Sequence, residues 1–395
     1  MRTFLQSVFV QLLLNPYVFL RGWQAIPPKK VWRIPFIVCF AVELCAFFVG
    51  FFFHGELPDK VMRIIRYYCE TWYIGLLYVT MALLAIGAIR RTYRRMHGRY
   101  PRWVMKYGAQ TKLALFFFVI AGVSALLWKA YNTVMHPLVR HVYVTLPKTM
   151  DGGVDSLRVV MMSDLHIGDF IGKEMVQRYV SLSNAQHPDL VVLVGDWLDY
   201  ESRTAEREHI EEDLQQLRAP KGVYAVNGNH EYRANRHAKR KWIGKTGATL
   251  LVDSVVCLPG AFYLVGRDDF INRKRQPLHS LLKPLRGDLP VVVLDHQPYS
   301  LAETAMNQAD LCLCGHTHNG QLWPYSLLMK WIYECPYGYY RKGNTQFYVS
   351  SGIGVAGAPF RVGTVSELVV LHILFAGKSF PVAAHNRETR FGRLS

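Results

Sequence analysis

The hydrophobic pattern of this 395-residue chain has two textures. In the first 130 residues the apolar positions come in long runs, at 4–20, 31–53, 72–89 and 113–128. The last three are long enough, or nearly so, to cross a bilayer as helices, which takes about 20 apolar residues. The first is interrupted by Gln11, Asn15 and Pro16, and reads as a span, a re-entrant helix or an interfacial one. Arg21-Gly22-Trp23 follows it in place of a small-residue cleavage site, which argues against a cleaved signal peptide. Counting it as a span gives four in all. Glu43 lies inside the second run; it is either a functional intramembrane acid or a carboxylate facing the bundle or an interface.

After residue 140 short apolar runs alternate with polar, helix-like segments. Candidate strands fall at 157–162, 190–194, 222–226, 289–294, 309–314, 346–350 and 368–374, and candidate helices at 173–185, 209–217 and 300–306. Continuous short apolar runs with helices between them predict a β-rich α/β domain whose strands are buried on both faces. The expected division is a membrane region over 1–140, a globular domain over 141–383 and a flexible polar tail over 384–395.

Charge supports that division. The chain carries a formal net charge of +17, but residues 1–150 hold 19 Lys/Arg against four acids, and the rest is nearly neutral with 27 bases and 25 acids. A basic excess confined to the apolar half is the pattern of loops flanking membrane spans. A nucleic-acid-binding domain would carry it on a folded, soluble face, so no nucleic-acid partner is expected. The loops also alternate: 21–33 has four bases and no acid, 54–71 has three of each, and 90–112 has eight bases and no acid. The positive-inside rule places the first and third in the cytoplasm and delivers the globular domain to the exoplasmic side, periplasmic in a Gram-negative cell. Seven cysteines with no CxxC form no disulfide framework; Cys312 and Cys314 alternate on one apolar run and read as small buried hydrophobes.

Metal-capable residues recur at the ends of the candidate strands. The first ends in Ser163-Asp164-Leu165-His166, the second in Gly195-Asp196-Trp197-Leu198-Asp199, and the third runs into Asn227-Gly228-Asn229-His230-Glu231. Later strands end in Asp295-His296-Gln297-Pro298 and in Gly315-His316-Thr317-His318-Asn319-Gly320-Gln321. Ligands of open α/β sheets bind beyond the carboxyl ends of strands, so these five ends can converge on one crevice. Oxygen and imidazole donors without thiolate suit Mn²⁺, Fe or Zn²⁺. Two ligand sets sharing a carboxylate would hold two ions that clamp the attacking and leaving oxygens of a phosphoryl transfer. Each block alone occurs by chance; all five in order at successive strand ends do not.

The set resembles the calcineurin-like metallophosphoesterase superfamily, whose signature runs D-x-H, G-D, G-N-H-D/E, H and G-H-x-H. All five blocks are present, in order, across residues 157–321, and the chain looks most similar to the membrane-associated bacterial branch that includes the YkuE-like phosphoesterases. The resemblance implies a two-sheet sandwich flanked by helices. It also implies a first divalent ion on Asp164, His166 and His318, a second on Asn229, His296 and His316, and Asp196 bridging both. The nucleophile would be a hydroxide held between the ions, and His230 the outer-sphere catalytic residue beside the ligand Asn229. Glu231 then reads as orienting a neighbour.

Other residues leave two readings open. Asp199 and Asp295 tune ligands or cap loops. Arg361 contacts phosphate, as guanidinium forks do, or pairs at the surface. The aromatic segment 322–340 is ordinary core, or an apolar lip meeting the bilayer or a lipid tail. The expected function is therefore metal-dependent hydrolysis of a phosphate ester or phosphoanhydride at the membrane, on a phosphorylated substrate that an anchored enzyme could take from a lipid. The competing class is a non-catalytic membrane sensor or scaffold that retains the fold, against which the intact ligand set argues. A transporter reading is weak, with one intramembrane acid and no repeated pair of broken helices.

Overall fold

A computed structural model describes residues 10–53, 56–149, 155–258, 262–376 and 388–389. The chain divides into two compact units, Met1–Ala130 and Tyr131–Ser395.

Three helices of the first unit are long and apolar enough to cross a membrane by length and composition: Lys30–Phe52, Asp59–His97 and Gly108–Met135. The first apolar run lies partly outside the described residues; from Val10 it is a π-helical turn, Val10–Leu14, followed by the helix Asn15–Ala25. Inside this unit Glu43 is fully buried, and its carboxylate accepts hydrogen bonds from the side chains of Gln11 and Asn15.

Among the described residues the second unit holds two mixed sheets. The first has seven strands in the order β13-β1-β12-β2-β3-β4-β5, formed by Glu388–Thr389, Leu138–Thr145, Glu367–Leu374, Ser156–Met162, Leu190–Val194, Val223–Val226 and Thr249–Leu250. The second has six in the order β10-β11-β9-β8-β7-β6, formed by Gly338–Lys342, Thr345–Val349, Leu311–Cys314, Val291–Leu294, Phe262–Gly266 and Ser254–Leu258. Strict alternation of side chains makes this a sandwich. Val159 and Met161 of β2, Val192 and Val194 of β3, Val292 and Leu294 of β8, and Leu311 and Leu313 of β9 join one core between the sheets. The opposite faces, with Val160, Met162, Val191 and Leu193 on one sheet and Val293, Cys312 and Cys314 on the other, pack outward under helices. The architecture is the helix-flanked two-sheet sandwich that the resemblance implied, preceded along the chain by the helical region that the apolar runs implied. Cys312 and Cys314 are buried free thiols on one face.

β2, β3 and β4 are mutually parallel neighbours in one sheet, as are β8, β9 and β11 in the other. Their carboxyl ends therefore share an edge within each sheet. Backbone hydrogen bonds stitch the loops beyond them, Asp164 N–H to Gly195 O at 3.0 Å and Gly315 N–H to His296 O at 2.9 Å. β1, β5, β6, β7, β10 and β13 were not expected. β1 is broken in hydropathy by Arg140 and His141, and β10 alternates half-buried with exposed residues, so neither reads as a buried run. The tail expected to be flexible lies outside the described residues except for Glu388–Thr389, which pairs antiparallel with β1.

Candidate metal centre

Three groups of side chains bring ligand-type atoms together at this edge: Asp164 with His166 and His318, Asp196 with His296 and His316, and His166 with Asp199 and His230. His166 Nε2 stands 3.1 Å from His318 Nε2, which is 3.4 Å from Asp164 Oδ1. Asp196 Oδ2 lies 3.7 Å from His166 Nε2 and 3.3 Å from His296 Nε2, between the first two groups. Asp196 thus faces an imidazole of each of these two groups.

The backbone is bent to bring this about. Asp164, His166, Asp196, His316 and His318 adopt φ of 56, 48, 52, 73 and 50°, in the left-handed region that non-glycine residues seldom enter. Such conformations cost about 1–3 kcal/mol each and persist where surrounding bonds over-determine them. Those bonds are present. Asp164 accepts the His316 N–H at 3.0 Å, and Asp196 Oδ1 accepts the His230 N–H at 2.8 Å, leaving Oδ2 for the centre. Glu231 accepts the N–H groups of Gly228 at 2.7 Å, Asp196 at 2.9 Å and Trp197 at 3.0 Å, pinning the two loops together without reaching the ligand cluster. Gly195, at φ 77°, has no room for a side chain, since an added Cβ would meet His296 Nδ1 at 2.5 Å.

The rings of His296, His166 and His230 are oriented from behind. His296 Nδ1 donates to Val194 O at 2.8 Å and turns Nε2 toward Asp196. His166 Nδ1 faces Asp199 Oδ1 at 3.3 Å and turns Nε2 the same way. His230 Nδ1 donates to the Asp199 carbonyl, and its Nε2 receives Arg233 Nη1 at 2.7 Å. Asp199 is therefore the group that orients two imidazoles. Burial lowers the His230 pKa to about 4, with nearby His166 and Arg233 acting in the same sense against the two carboxylates. Burial alone would also lower His296, but the Asp196 carboxylate beside it raises it well above the ordinary value. Burial raises Asp164, whereas the surrounding imidazoles overcome burial and hold Asp196 well below the ordinary carboxylate value.

Divalent ions fit this donor set. Asn229 Oδ1 and His296 Nε2 are buried with no hydrogen-bond partner among the described residues, and both are expected ligand atoms. The donors are imidazole, carboxylate and amide oxygen with no thiolate, a hard-to-borderline set. A cleft of about 240 Å³ opens beside the cluster, lined by Asn229, His316, Arg233, Gln297, Phe270 and Arg273.

Arg361 is placed differently from the phosphate-contact reading. It is 2 % exposed, its Nη2 donates to the carbonyls of Ser351 at 2.6 Å and Gly354 at 2.7 Å, and it lies 3.2 Å from His318 Nδ1. Its guanidinium holds the His318 loop and is not presented to the cleft. Asp295 pairs with Arg267 at 3.2 Å and Arg275 at 3.1 Å, away from the ligands. The sequence reading missed Arg233, which lines the cleft together with Arg273. Its one signal was position, three residues after His230 and one turn further along the same loop.

Comparison with known proteins agrees with this geometry. Residues 157–320 match the calcineurin-like phosphoesterase family. A Danio rerio protein named transmembrane protein with metallophosphoesterase domain is 29 % identical over 365 residues, covering 88 % of this chain and 82 % of that protein. A Helicobacter pylori protein named as a metallophosphoesterase is 32 % identical over 260 residues, 62 % of this chain and 67 % of its own length. The metallophosphoesterase YkuE of Bacillus subtilis is 26 % identical over 226 residues, 55 % of this chain and 79 % of its own length.

Proposed function

The chain belongs to the calcineurin-like phosphoesterase family of metal-dependent phosphohydrolases and is a membrane protein, and from that premise we propose that it hydrolyses a lipid-linked phosphate ester or phosphoanhydride at a two-ion centre. Asp164, His166 and His318 would hold one ion, Asn229, His296 and His316 the other, and Asp196 would serve both. The observation that carries this reading is the cluster itself: ligand atoms from five strand ends gathered in one place, with Asn229 Oδ1 and His296 Nε2 buried and otherwise unpartnered.

When bound, two divalent ions supply a neutral-pH nucleophile from water and clamp the phosphoryl oxygens. The protein does the rest. Glu231 and the backbone bonds it accepts hold the Asp196 and Asn229 loops at fixed separation. Asp199 and the Val194 carbonyl keep the ligand imidazoles turned inward. His230 is held at Nδ1 by the Asp199 carbonyl and at Nε2 by Arg233. A phosphate dianion paired with Arg233 would raise the proton affinity of Nε2, which would take a proton from solvent water and pass it to the leaving oxygen.

The catalytic unit is exoplasmic in this reading. Eight bases between residues 90 and 112 hold the loop before the last apolar helix in the cytoplasm, and that helix, Gly108–Met135, then crosses once more. Anchoring confines the enzyme to a membrane surface, which supports a substrate that is itself membrane-bound. The test uses full-length protein in detergent, stripped with chelator and reloaded with Mn²⁺, Fe²⁺ or Zn²⁺. Substrates are a soluble phosphomonoester, a phosphodiester, a lipid phosphate and a lipid pyrophosphate. Metal-restored turnover that is lost in His230→Ala supports the hydrolase reading, and no turnover with any metal or substrate overturns it. Rapid turnover of soluble esters with the lipids untouched overturns the lipid-linked substrate alone.

A further inference from the structure

The helix Tyr325–Ile332 directly follows the His316-x-His318 loop and shows an inverted face. Met329 and Tyr333 point inward, one helical repeat apart, while Tyr325, Leu327, Leu328, Trp331 and Ile332 are exposed, Trp331 to 90 %. Lys330 is the one charged residue between 322 and 333. A surface helix with apolar side chains outward lacks its covering partner.

This helix is fastened to the candidate metal centre at both ends. At its start, Gly320 (φ 79°) lies so close that an added Cβ would meet Ser326 N at 2.4 Å, so the helix rests on the backbone next to His318. At its end, the Tyr333 ring stands 6.2 Å from the His316 ring and 4.9 Å from the Tyr299 ring, and its hydroxyl donates to Tyr299 Oη at 2.9 Å. Thr317, between the two histidines, donates to Pro336 O at 2.6 Å. Phe270, which stacks on Tyr299 at 5.3 Å, continues the aromatic rim to the cleft.

We propose that Tyr325–Ile332 is an interfacial helix that seats its exposed face in the lipid bilayer and so holds the mouth of the metal centre at the lipid surface. The occupant is a bilayer on three grounds. The chain has three helices fit to span one, so its catalytic unit works beside lipid. The tether is short, with only His136 and Pro137 between the end of Gly108–Met135 and β1. The exposed set, Trp and Tyr with Leu and Ile around one Lys, has the composition of helices that lie at the headgroup boundary. The proposal deepens the reading of a lipid-linked substrate and rests on it for its purpose, but its test does not depend on turnover.

The experiment reconstitutes the full chain in phosphatidylcholine–phosphatidylglycerol vesicles containing a phospholipid with a diazirine high on its acyl chain. After irradiation and digestion, lipid adducts are located by mass spectrometry. Adducts are expected on peptides covering 322–340 as well as on the three apolar helices. Leu328→Glu with Trp331→Glu should cut the 322–340 adducts by about tenfold or more, the effect of replacing two large buried apolar groups with charge. Unchanged metal-dependent hydrolysis of p-nitrophenyl phosphate by that variant shows that it is folded. Adducts confined to the apolar helices overturn the docking proposal. If 322–340 is labelled while no phosphate substrate turns over with any metal, docking stands and the hydrolase reading falls. Turnover without labelling gives the converse.

Discussion

Both units of the chain bury acids and amides, and they treat them in opposite ways. In the helical unit, Glu43 accepts Gln11 Nε2 at 2.5 Å and Asn15 Nδ2 at 2.6 Å, and Trp72 Nε1 donates to Asn15 Oδ1 at 3.2 Å. In the catalytic unit, Asn229 Oδ1 and His296 Nε2 are also buried and have no hydrogen-bond partner among the described residues, although Asp196 faces His296 Nε2 at 3.3 Å. A buried polar atom left alone costs about 1–3 kcal/mol. Single orphans occur in both units, Thr80 Oγ1 and Ser183 Oγ among them. Orphans of ligand type, set within a cluster of imidazoles and carboxylates on strained strand ends, occur at the candidate centre. The difference teaches how to sort buried polarity: a closed network completes a structure, and an open one is built to be completed by something else.

The strongest way to break that contrast is to remove the shared carboxylate. Asp196→Asn should lose bound metal, measured by mass spectrometry of the purified protein. It should also lower kcat by about a thousandfold or more, since charge stabilisation by the ions is worth several kcal/mol and each 1.36 kcal/mol is a factor of ten. Full metal content with near-normal rate would show that the open cluster is not a metal centre. His230→Ala should lower kcat by about 10²–10⁴-fold with metal content intact, because it removes proton transfer and not a ligand. Loss of metal in this variant would move His230 into the coordination sphere, where the His166–Asp199–His230 grouping also allows it. Asp199→Ala should weaken metal affinity by about 10–100-fold through the misoriented His166 ring, read from activity against added Mn²⁺. Saturating metal should restore most of its rate.

The two kinds of cluster were unequally legible in the sequence. Candidate ligands stood out because metal-capable residues fall at strand ends, where side chains reach a crevice, and the resemblance to the family then assigned them to two ions. The parallel strands β2, β3, β8 and β9 were readable for the same reason, being short apolar runs buried on both faces. What orients the ligands was only partly readable, with Asp199 open between tuning a ligand and capping a loop. Asp199 acts through a carbonyl and a carboxylate that meet two rings from different loops, and Arg361 folds back on the His318 loop although its residue type suggested phosphate. Long-range partners of this sort leave no local spacing behind. The helix Tyr325–Ile332 was seen as an aromatic segment, but its outward apolar face depends on which side Met329 and Tyr333 pack, and that is set by the fold.

The smallest effect is expected in the closed cluster. Glu43→Gln keeps one acceptor oxygen for either Gln11 or Asn15 and turns the other into a donor facing a donor. The cost is about one hydrogen bond, on the order of 0.5–1.5 kcal/mol. Glu43→Leu removes both acceptors, leaving Asn15 Nδ2 with Gln11 Oε1 at 2.6 Å and Gln11 Nε2 with Tyr73 Oη at 3.4 Å, so two hydrogen bonds are lost at about 0.5–1.5 kcal/mol each. Thermal unfolding in detergent should therefore rank wild type above Glu43→Gln and Glu43→Gln above Glu43→Leu. Turnover of a soluble ester should stay within about twofold of wild type in both, as independent sites do not couple. A fall in kcat comparable to that of Asp196→Asn, in a variant that is still folded, would mean that Glu43 takes part in the chemistry. A closed hydrogen-bond network would then no longer mark a structural role, and buried polar groups in the two units would have to be read by the same rule.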